Sequence, residues 1–397
     1  MSPPASSSNE PVAGAPRGAR IWLLACTAVF WASHYTYVPT LAPYAEHRGA
    51  SFTTIGLIVS AYGLALLLFR LPLGLYSDRI GKRRVFITTG LVGAGLAAVG
   101  LATSPVPEWM IAARFLSGLS ACAWVTFTIL FASYYPSDQT PRAMGHIAFV
   151  NGISIMVASF FGGWLADTYG WLAPFWASAI FGCVGCAMSF FIHETGPTTR
   201  RTITLADTKR VLRHPTLIWV SVVGAFGMYT VFASSFGFLP NYAVTLGATK
   251  TQLGLLSTVT LLCSSFAGLS ASRIALPTLG PKGSVVVAYS IVTVAVTAIP
   301  YATAVEHLFV LQAIGGFCRG TAYPILMAMV IHDVPEQDKA TAMGFYQSVY
   351  SSGMFLGPIG AGYIGDKVGY PALFISSAAV GFVAVLAALK LPKQLSD

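Results

Sequence analysis

Long stretches without a charged residue recur along the whole chain and are separated by short polar connectors. Each stretch reaches or approaches the ~20 apolar residues that an α-helix needs to cross a bilayer. None has the strict two-residue alternation of a transmembrane β-strand. The pattern therefore predicts an all-α polytopic membrane protein with twelve transmembrane helices. Eleven stretches are free of Asp, Glu, Lys and Arg, and the twelfth, 307–332, contains only Arg319; the eleven are 21–45, 51–69, 85–107, 115–137, 143–166, 168–193, 214–249, 251–272, 283–305, 340–365 and 368–389.

Composition supports a membrane protein, because only 9% of the 397 residues are charged and 55% are hydrophobic. A soluble domain carries roughly a quarter charged residues. All six cysteines lie in apolar stretches, so the sequence predicts no disulfide framework. No nucleophile–base pair or metal-ligand spacing stands out. We therefore expect neither an enzyme nor a bound cofactor or metal.

The 23 Lys and Arg residues are distributed unevenly about the predicted membrane, and three of them lie at membrane depth. When the connectors are assigned alternately from a cytoplasmic N-terminus, Arg48, Lys250 and Lys367 lie outside and 17 cations lie inside. This bias predicts that both termini are cytoplasmic and that the protein spans the cytoplasmic membrane. It also accounts for the net charge of +9 without a nucleic-acid partner.

The sequence repeats at an offset near half its length. Tyr44-Ala45 recurs as Tyr242-Ala243 at an offset of 198, and Asp167 recurs as Asp366 at an offset of 199. Such a repeat predicts two six-helix halves related by an axis along the membrane normal. We place the N-terminal bundle at 20–194 and the C-terminal bundle at 215–391. A cytoplasmic linker at 195–214 joins them, and the ends are tails at 1–19 (disordered, because it is rich in Pro, Ser, Ala and Gly) and 392–397.

The connector between the second and third predicted helices, 71–84, reads LPLGLYSDRIGKRR. Its G-x-x-x-D-R-x-G-K-R pattern resembles the loop signature of the major facilitator superfamily of transporters. The resemblance implies two pseudo-symmetric six-helix bundles and alternating access. It also implies a conformational latch, although anchoring of the topology by positive charge is the other interpretation of this cluster. The predicted latch residues are Gly74, Asp78, Arg79, Gly81, Lys82 and Arg83.

Two of the intramembrane arginines lie deep in their helices. Arg114-x-x-x-Gly118 resembles the fourth-helix motif of the same superfamily, most closely in its drug:proton antiporter-like branch, where the arginine is linked to proton coupling. An arginine at a helix centre costs about 2.5–3.5 kcal/mol, so Arg114 and Arg319 each need a partner or a wet cavity. A purely structural role is the other interpretation of both. Arg70 is nearer its helix end and is expected to snorkel.

The predicted substrate and coupling residues combine these arginines with titratable, aromatic and amide side chains. Histidine titrates near pH 6.5 and can exchange protons around neutral pH. The carboxylates lie in connectors or near helix ends, so no acid is expected at the centre of a span. Neutral hydrogen bonding by the histidines and packing by the aromatics are the alternatives. The set is His34, Tyr37, Arg114, His146, Asn151, Tyr229, Phe232, Arg319, Tyr323, Gln347 and Tyr350.

With the resemblance, these features predict a secondary active transporter that moves a small solute by alternating access. The arginines without an acidic neighbour favour a small organic anion or weak acid, coupled to protons or to exchange. A proton-coupled polyspecific exporter of hydrophobic compounds is the alternative. A non-transporting receptor is disfavoured by the intact loop motif and the short linker. The expected partners are the lipid bilayer, a small-molecule substrate and protons, with no nucleic acid, and we expect a functional monomer.

Overall fold

The structure is a computed structural model that describes residues 15–136, 139–194, 214–332, 334–335 and 338–392. Within these residues the chain forms fifteen α-helices and no strand. Their bounds are α1 Arg17–Tyr35, α2 Val38–His47, α3 Phe52–Ile80, α4 Arg83–Thr103, α5 Trp109–Ala121, α6 Trp124–Ala132, α7 Thr140–Tyr169, α8 Ala173–Ser189, α9 Pro215–Ala233, α10 Leu239–Thr245, α11 Lys250–Ser270, α12 Leu276–Ala298, α13 Val305–His332, α14 Lys339–Val368 and α15 Tyr370–Ala388.

These helices follow the twelve predicted spans. Helices α1 and α2 form the first span, α5 and α6 the fourth, and α9 and α10 the seventh, while every other span is one α-helix. In the described part of the chain, eight spans are long and apolar enough by themselves to cross a membrane. The other four are the first span, α8, α11 and α14. The all-α prediction is therefore confirmed.

The first and seventh spans, which the sequence predicts as continuous, are interrupted at equivalent places. Thr36 and Tyr37 separate α1 from α2, and a π-helix at Ser234–Phe238 separates α9 from α10. The repeat offset of 198 maps residue 36 onto residue 234. Thr36 Oγ1 donates to the Ala32 carbonyl at 2.7 Å, and Ser234 Oγ donates to the Thr230 carbonyl at 2.6 Å. Hydroxyls that bond the preceding turn in this way often bend helices, and π-bulges frequently mark functional sites.

The break in the first span is held by close packing of α7. A methyl group at Gly162 would collide with the carbonyl oxygen of Thr36, so only glycine allows this approach. Buried apolar clusters also cross between the halves, one joining Ile58 to Phe238 and another joining Leu66 to Met354. The two halves therefore pack against each other along a continuous seam.

The two ends of the bundle differ in how this seam is closed. We call the end with connectors 48–51, 170–172 and 246–249 the far face, and the end where α1 begins and α15 ends the terminal face. At the far face, Asp366 accepts hydrogen bonds from the backbone N–H groups of Phe52 (2.9 Å) and Thr53 (2.8 Å). Those groups begin α3, in the other half of the molecule.

The same contact occurs again in the opposite sense. Asp167, at the end of α7, accepts from the N–H groups of Lys250 (3.0 Å) and Thr251 (2.7 Å), which begin α11. The first N–H groups of a helix have no partner within the helix, and its dipole favours negative charge there. We call these two contacts the far-face clasps. They are counterparts under the internal repeat.

One further far-face contact is not repeated. The Glu46 carboxylate accepts from the side-chain amide of Asn241 and from the Tyr370 hydroxyl at 3.2 Å, so it joins the first half to the second. The repeat offset places Val244 at the equivalent position. This carboxylate belongs to one half alone.

The seam loosens towards the terminal face between α7 and α11. These helices still touch where Thr258 Oγ1 donates to the Met156 carbonyl at 3.1 Å. Further along α7, positions Gly152 and Gly145 face open space, and His146 is exposed. The halves are thus joined at the far face and separate along α7 near the terminal face.

The predicted boundaries are tested only in part. Helix α1 begins at Arg17, inside the segment assigned to the N-terminal tail, with Pro16 as its N-cap residue. A preceding proline and a run of helix-compatible residues allow the helix to start there. The linker at 195–213 and the ends at 1–14 and 393–397 lie outside the described residues, so those assignments stay predictions.

Candidate substrate and coupling site

Arg114 on α5 lies deep in the N-terminal bundle and is only 6% exposed. Its Nη1 donates to the Tyr37 hydroxyl at 2.9 Å and to Ser117 Oγ at 3.3 Å. The guanidinium carbon lies 4.5 Å from the centre of the Tyr62 ring, a cation–π distance. Its Nε is buried and has no hydrogen-bond partner among the described residues. A guanidinium has five N–H donors, so Arg114 retains donors for a ligand.

His34 on α1 lies next to this arginine and is fully enclosed. Its Nδ1 is 2.9 Å from the Phe30 carbonyl, and because a carbonyl can only accept, Nδ1 carries the hydrogen. Its Nε2 is 2.8 Å from Ser120 Oγ and 3.3 Å from the Ser117 carbonyl. The neutral ring therefore accepts at Nε2, and an added proton there would find the Ser117 carbonyl as an acceptor.

Ser117 lies between the histidine and the arginine. Its carbonyl is 3.3 Å from His34 Nε2, and its hydroxyl accepts from Arg114 Nη1 at 3.3 Å. Ser117 Oγ is 2.8 Å from the Tyr37 hydroxyl, which accepts from Arg114. The breaks in the first and fourth spans bring these side chains together, because Tyr37 lies in one break and Ser120 just precedes the other. A charge change at His34 can therefore alter the hydrogen bonds around Arg114.

Arg114 lines a small cavity on the seam between the bundles. The cavity measures about 10 Å³, and a neighbouring one measures about 20 Å³, so each has room for about one water molecule. Among the residues that line the first cavity, Arg114 carries the one charge. The first cavity is lined by Tyr35, Val38, Leu41, Val59, Tyr62, Arg114, Phe232 and Phe236. The site is thus an apolar and aromatic space with a single cation.

The equivalent place in the C-terminal bundle has an amide where the N-terminal bundle has Arg114. The offset of 198 maps Tyr37 onto Ser235 and Arg114 onto Gln312. Ser235 Oγ donates to Gln312 Oε1 at 3.2 Å, and both line the neighbouring 20 Å³ cavity. The same hydrogen-bonded positions therefore recur with an amide in place of the arginine and with Phe232 in place of His34.

Arg319 does not line either central cavity. Its Nη1 donates to Ser235 Oγ at 2.8 Å, and its Nη2 is buried without a partner in the described structure. The guanidinium lines cavities inside the C-terminal bundle, one of them with Tyr289 and Thr293. We expected Arg319 to face the central cavity. Instead, Ser235 of the π-helix lines a central cavity, and its hydroxyl accepts a hydrogen bond from the Arg319 guanidinium.

Four of the other predicted site residues are aromatic. Phe232 lines the central cavity beside Phe236, with ring centroids 5.1 Å apart. Tyr323 and Tyr350 meet edge to face at 6.2 Å, near the seam. Tyr229, on α9, packs against α14. Its hydroxyl occupies the space that a side chain at Gly360 would need.

The remaining predicted residues lie on α7 and α14, away from the central cavities. His146 is exposed and its Nδ1 is 3.3 Å from the Tyr135 hydroxyl. Asn151 is half-buried, and its buried Oδ1 has no partner within the described ranges. Gln347 is half-buried on α14. The structure thus brings together His34, Tyr37, Arg114 and Phe232 but not these three.

Sequence reasoning missed several contributors. Ser117 and Ser120 follow Arg114 by three and six positions, a polar stripe on one helix face that the sequence offered as a signal. Tyr62 gave no comparable signal, because it is one aromatic residue in an apolar span. The expectation that Arg70 snorkels is wrong: its Nη1 instead points across the seam to the Tyr350 hydroxyl at 3.4 Å. The phenol offers an acceptor at membrane depth.

The predicted latch is described only in part. Gly81 ends α3 in the left-handed conformation with φ 69°, which permits the tight turn into α4. Arg83 is buried, and its Nη1 is 3.5 Å from the Ile129 carbonyl on α6, in its own bundle. Gly74 is half-buried and Lys82 is exposed. The side chains of Asp78 and Arg79 lie outside the described residues, so the latch role stays a prediction.

Comparison with known proteins decides the family. The family model described as Major Facilitator Superfamily matches residues 23–306 and 232–396. The chain belongs to the Major Facilitator Superfamily. The placement made from the loop and fourth-helix motifs is therefore confirmed.

Relatives and solved structures agree with this assignment. An uncharacterized MFS-type transporter, MJ1560 of Methanocaldococcus jannaschii, is 23% identical over 92% of this chain and 96% of that protein. The multi-drug resistance efflux pump PmrA of Streptococcus pneumoniae is 24% identical over 86% of this chain and 87% of that protein. A mutant of the nucleoside transporter NupG superposes with a TM-score of 0.81 at 12% identity, over 94% of this chain and 99% of that one.

Membership in the superfamily identifies the protein as a transporter rather than an enzyme. It is a multi-pass membrane protein of twelve spans in two six-helix bundles. Secondary active transport by alternating access follows from the family, and a far face held by the clasps, with the halves separated along α7 near the terminal face, is one state of such a cycle.

Proposed function

We propose that this transporter carries small organic anions, in particular weak carboxylic acids with an apolar or aromatic body. The observation that carries the proposal is the single cation, Arg114, on the wall of a cavity otherwise lined by apolar and aromatic side chains. Its partners in the described structure are hydroxyls and an aromatic ring, not carboxylates. A carboxylate is the group that would neutralise it.

The chemistry of the guanidinium favours such a ligand. A planar guanidinium binds a carboxylate through two parallel charge-assisted hydrogen bonds. Placing a cation as deep in the membrane as Arg114 costs free energy, and a bound anion would offset that cost. The walls formed by Val59, Phe232 and Phe236 would shield an apolar body from water, at about 25 cal/mol per Å² of surface buried.

We further propose that His34 couples this transport to protons. Entry of an anion against a negative-inside potential costs about 2.3 kcal/mol per charge per 100 mV, and a proton carried with it cancels the charge. Ser117 lies between the two groups, because its carbonyl contacts His34 Nε2 and its hydroxyl accepts from Arg114. With both termini in the cytoplasm, as the charge bias predicts, the terminal face would be the cytoplasmic one.

A second candidate is proton-coupled export of hydrophobic compounds. It is favoured by the relative PmrA, which is named a multi-drug resistance efflux pump, and by the aromatic cavity walls. The two candidates differ in the charge of the compound carried, because a guanidinium repels lipophilic cations.

Uptake into proteoliposomes separates the candidates. We expect saturable uptake of radiolabelled hippurate, a carboxylate with an aromatic body, and faster uptake when the external medium is more acidic. Protein-free liposomes give the passive leak. Saturable ethidium transport with hippurate uptake no faster than the leak would contradict the anion proposal and support the exporter.

A further inference from the structure

Arg70 places a second guanidinium on the seam. It lies on α3, in the N-terminal bundle, and its Nη1 reaches the Tyr350 hydroxyl of α14, in the C-terminal bundle, at 3.4 Å. Charge-assisted hydrogen bonds are usually about 2.7–2.9 Å long, so this contact is weak. Its Nε is buried and lacks a partner in the part of the chain that the structure describes. Within the described residues, Arg70 therefore keeps N–H donors that could bind a ligand.

Phenol rings surround the place where Arg70 meets α14. Tyr350 packs edge to face against Tyr346, at 5.3 Å between centroids, and against Tyr323, at 6.2 Å. Tyr350 itself is buried. A cation beside aromatic rings and a hydroxyl that can donate is the chemistry that recognises the carboxylate of an aromatic or apolar acid.

The two cations face one stretch of the seam. Tyr62, which lies under the Arg114 guanidinium, precedes Arg70 by eight positions on α3, which is about 12 Å along the helix. Because α3 begins at the far face with Phe52, Arg70 lies on the terminal-face side of Arg114.

We propose that Arg70 and Tyr350 form a second anion subsite, which binds the substrate carboxylate between the Arg114 site and the terminal face. The inference rests on the proposed function. A carboxylate arriving at Arg70 makes a shorter and stronger bond than the Tyr350 hydroxyl does, so it displaces that hydroxyl. The hydroxyl then donates to the carboxylate, and the weak bridge between α3 and α14 is broken by the substrate itself.

Sided transport measurements test the subsite. Hippurate uptake is measured in vesicles sorted by protease access to an N-terminal tag, so that either face can be supplied with substrate. We expect Arg70→Gln to raise the half-saturation concentration at the terminal face at least tenfold and to change that at the far face less than twofold. Arg70→Lys keeps the charge and should recover most of the terminal-face affinity.

A second subsite variant and a control complete the test. Tyr350→Phe removes the hydroxyl that donates to the bound carboxylate but leaves the cation and the ring, so the half-saturation concentration at the terminal face should rise, though less than in Arg70→Gln. Arg142→Gln removes an exposed cation of α7 and should leave both faces unchanged. An equal rise at both faces in Arg70→Gln, or none at either, would overturn the subsite while leaving the Arg114 site intact. A wild type that neither binds nor carries hippurate contradicts the proposed function, and the subsite with it.

Discussion

The two bundles carry different polar side chains at equivalent positions of their helices. In the N-terminal bundle, Tyr37 accepts from Arg114, and Ser117 contacts Arg114 through its hydroxyl and His34 through its carbonyl. In the C-terminal bundle, the counterparts Ser235 and Gln312 share a hydrogen bond, Arg319 donates to Ser235, and Phe232 stands at the position equivalent to His34. The two far-face clasps, by contrast, are alike, since each half supplies one aspartate to the first turn of a helix in the other half.

The difference reflects what each contact requires. A far-face clasp needs one carboxylate and backbone N–H groups, which every helix start provides, so both copies can keep it. The Arg114 network needs several specific side chains in one place, and one such network is enough for one central site. Both halves of a duplicated chain can therefore keep a clasp, while only the N-terminal half keeps the Arg114 and His34 side chains.

The largest expected effect comes from making the two bundles alike at the central site. Arg114→Gln copies the residue found at position 312. Hydrogen bonds to charged groups contribute about 1.5–3 kcal/mol, so we expect hippurate uptake to fall about 10- to 100-fold. The matched change, Gln312→Ala, should lower uptake less than about threefold. An equal loss of hippurate uptake in the two variants would show that transport does not depend on the difference between Arg114 and Gln312.

An intermediate effect is expected from removing the clasps. Asp167→Ala and Asp366→Ala each leave two helix-starting N–H groups without their carboxylate, at a cost of about 1 kcal/mol. The double variant should then shift the equilibrium towards an open far face by about tenfold or more. Labelling of a cysteine introduced under the far face measures this shift. Glu108→Ala, an exposed far-face acid that makes no capping hydrogen bond, is the control.

The clasp prediction also tests the symmetry itself. Because the two contacts are counterparts with similar distances, the single variants should increase labelling to within about threefold of each other. A shift caused by one aspartate alone would mean that only one clasp holds the far face closed.

The smallest effect on flux is expected at His34. His34→Gln keeps a hydrogen-bonding side chain at the end of the network but cannot take up a proton near neutral pH. Counter-flow exchange of hippurate should stay within about threefold of the wild type, while accumulation driven by a pH gradient should be lost. Undiminished pH-driven accumulation in this variant would assign the coupling proton to another group.

The sequence predicted the spans and the duplication well. In lipid, every backbone polar group must be satisfied within the segment, so an apolar run of sufficient length has to be helical. The loop motif and the repeat of Asp167 as Asp366 then indicated the family fold. These features depend only on residue order along the chain.

The direction in which each polar side chain points was decided by tertiary packing. Arg70 was expected to snorkel and instead crosses the seam to Tyr350, while Arg319 was expected in the central cavity and is held inside its bundle by Ser235. Lipid and the protein interior are equally apolar, so the hydrophobic pattern of a membrane helix marks its facing side only weakly.

The sequence by itself determined twelve helical spans, their duplication and the presence of deep cations. Only the tertiary structure decided that a histidine, two serines, a tyrosine and Arg114 form one network, because two helix breaks must meet to join them. It also decided that aspartates at two helix ends close the far face, since their partners are backbone N–H groups that no residue pattern identifies.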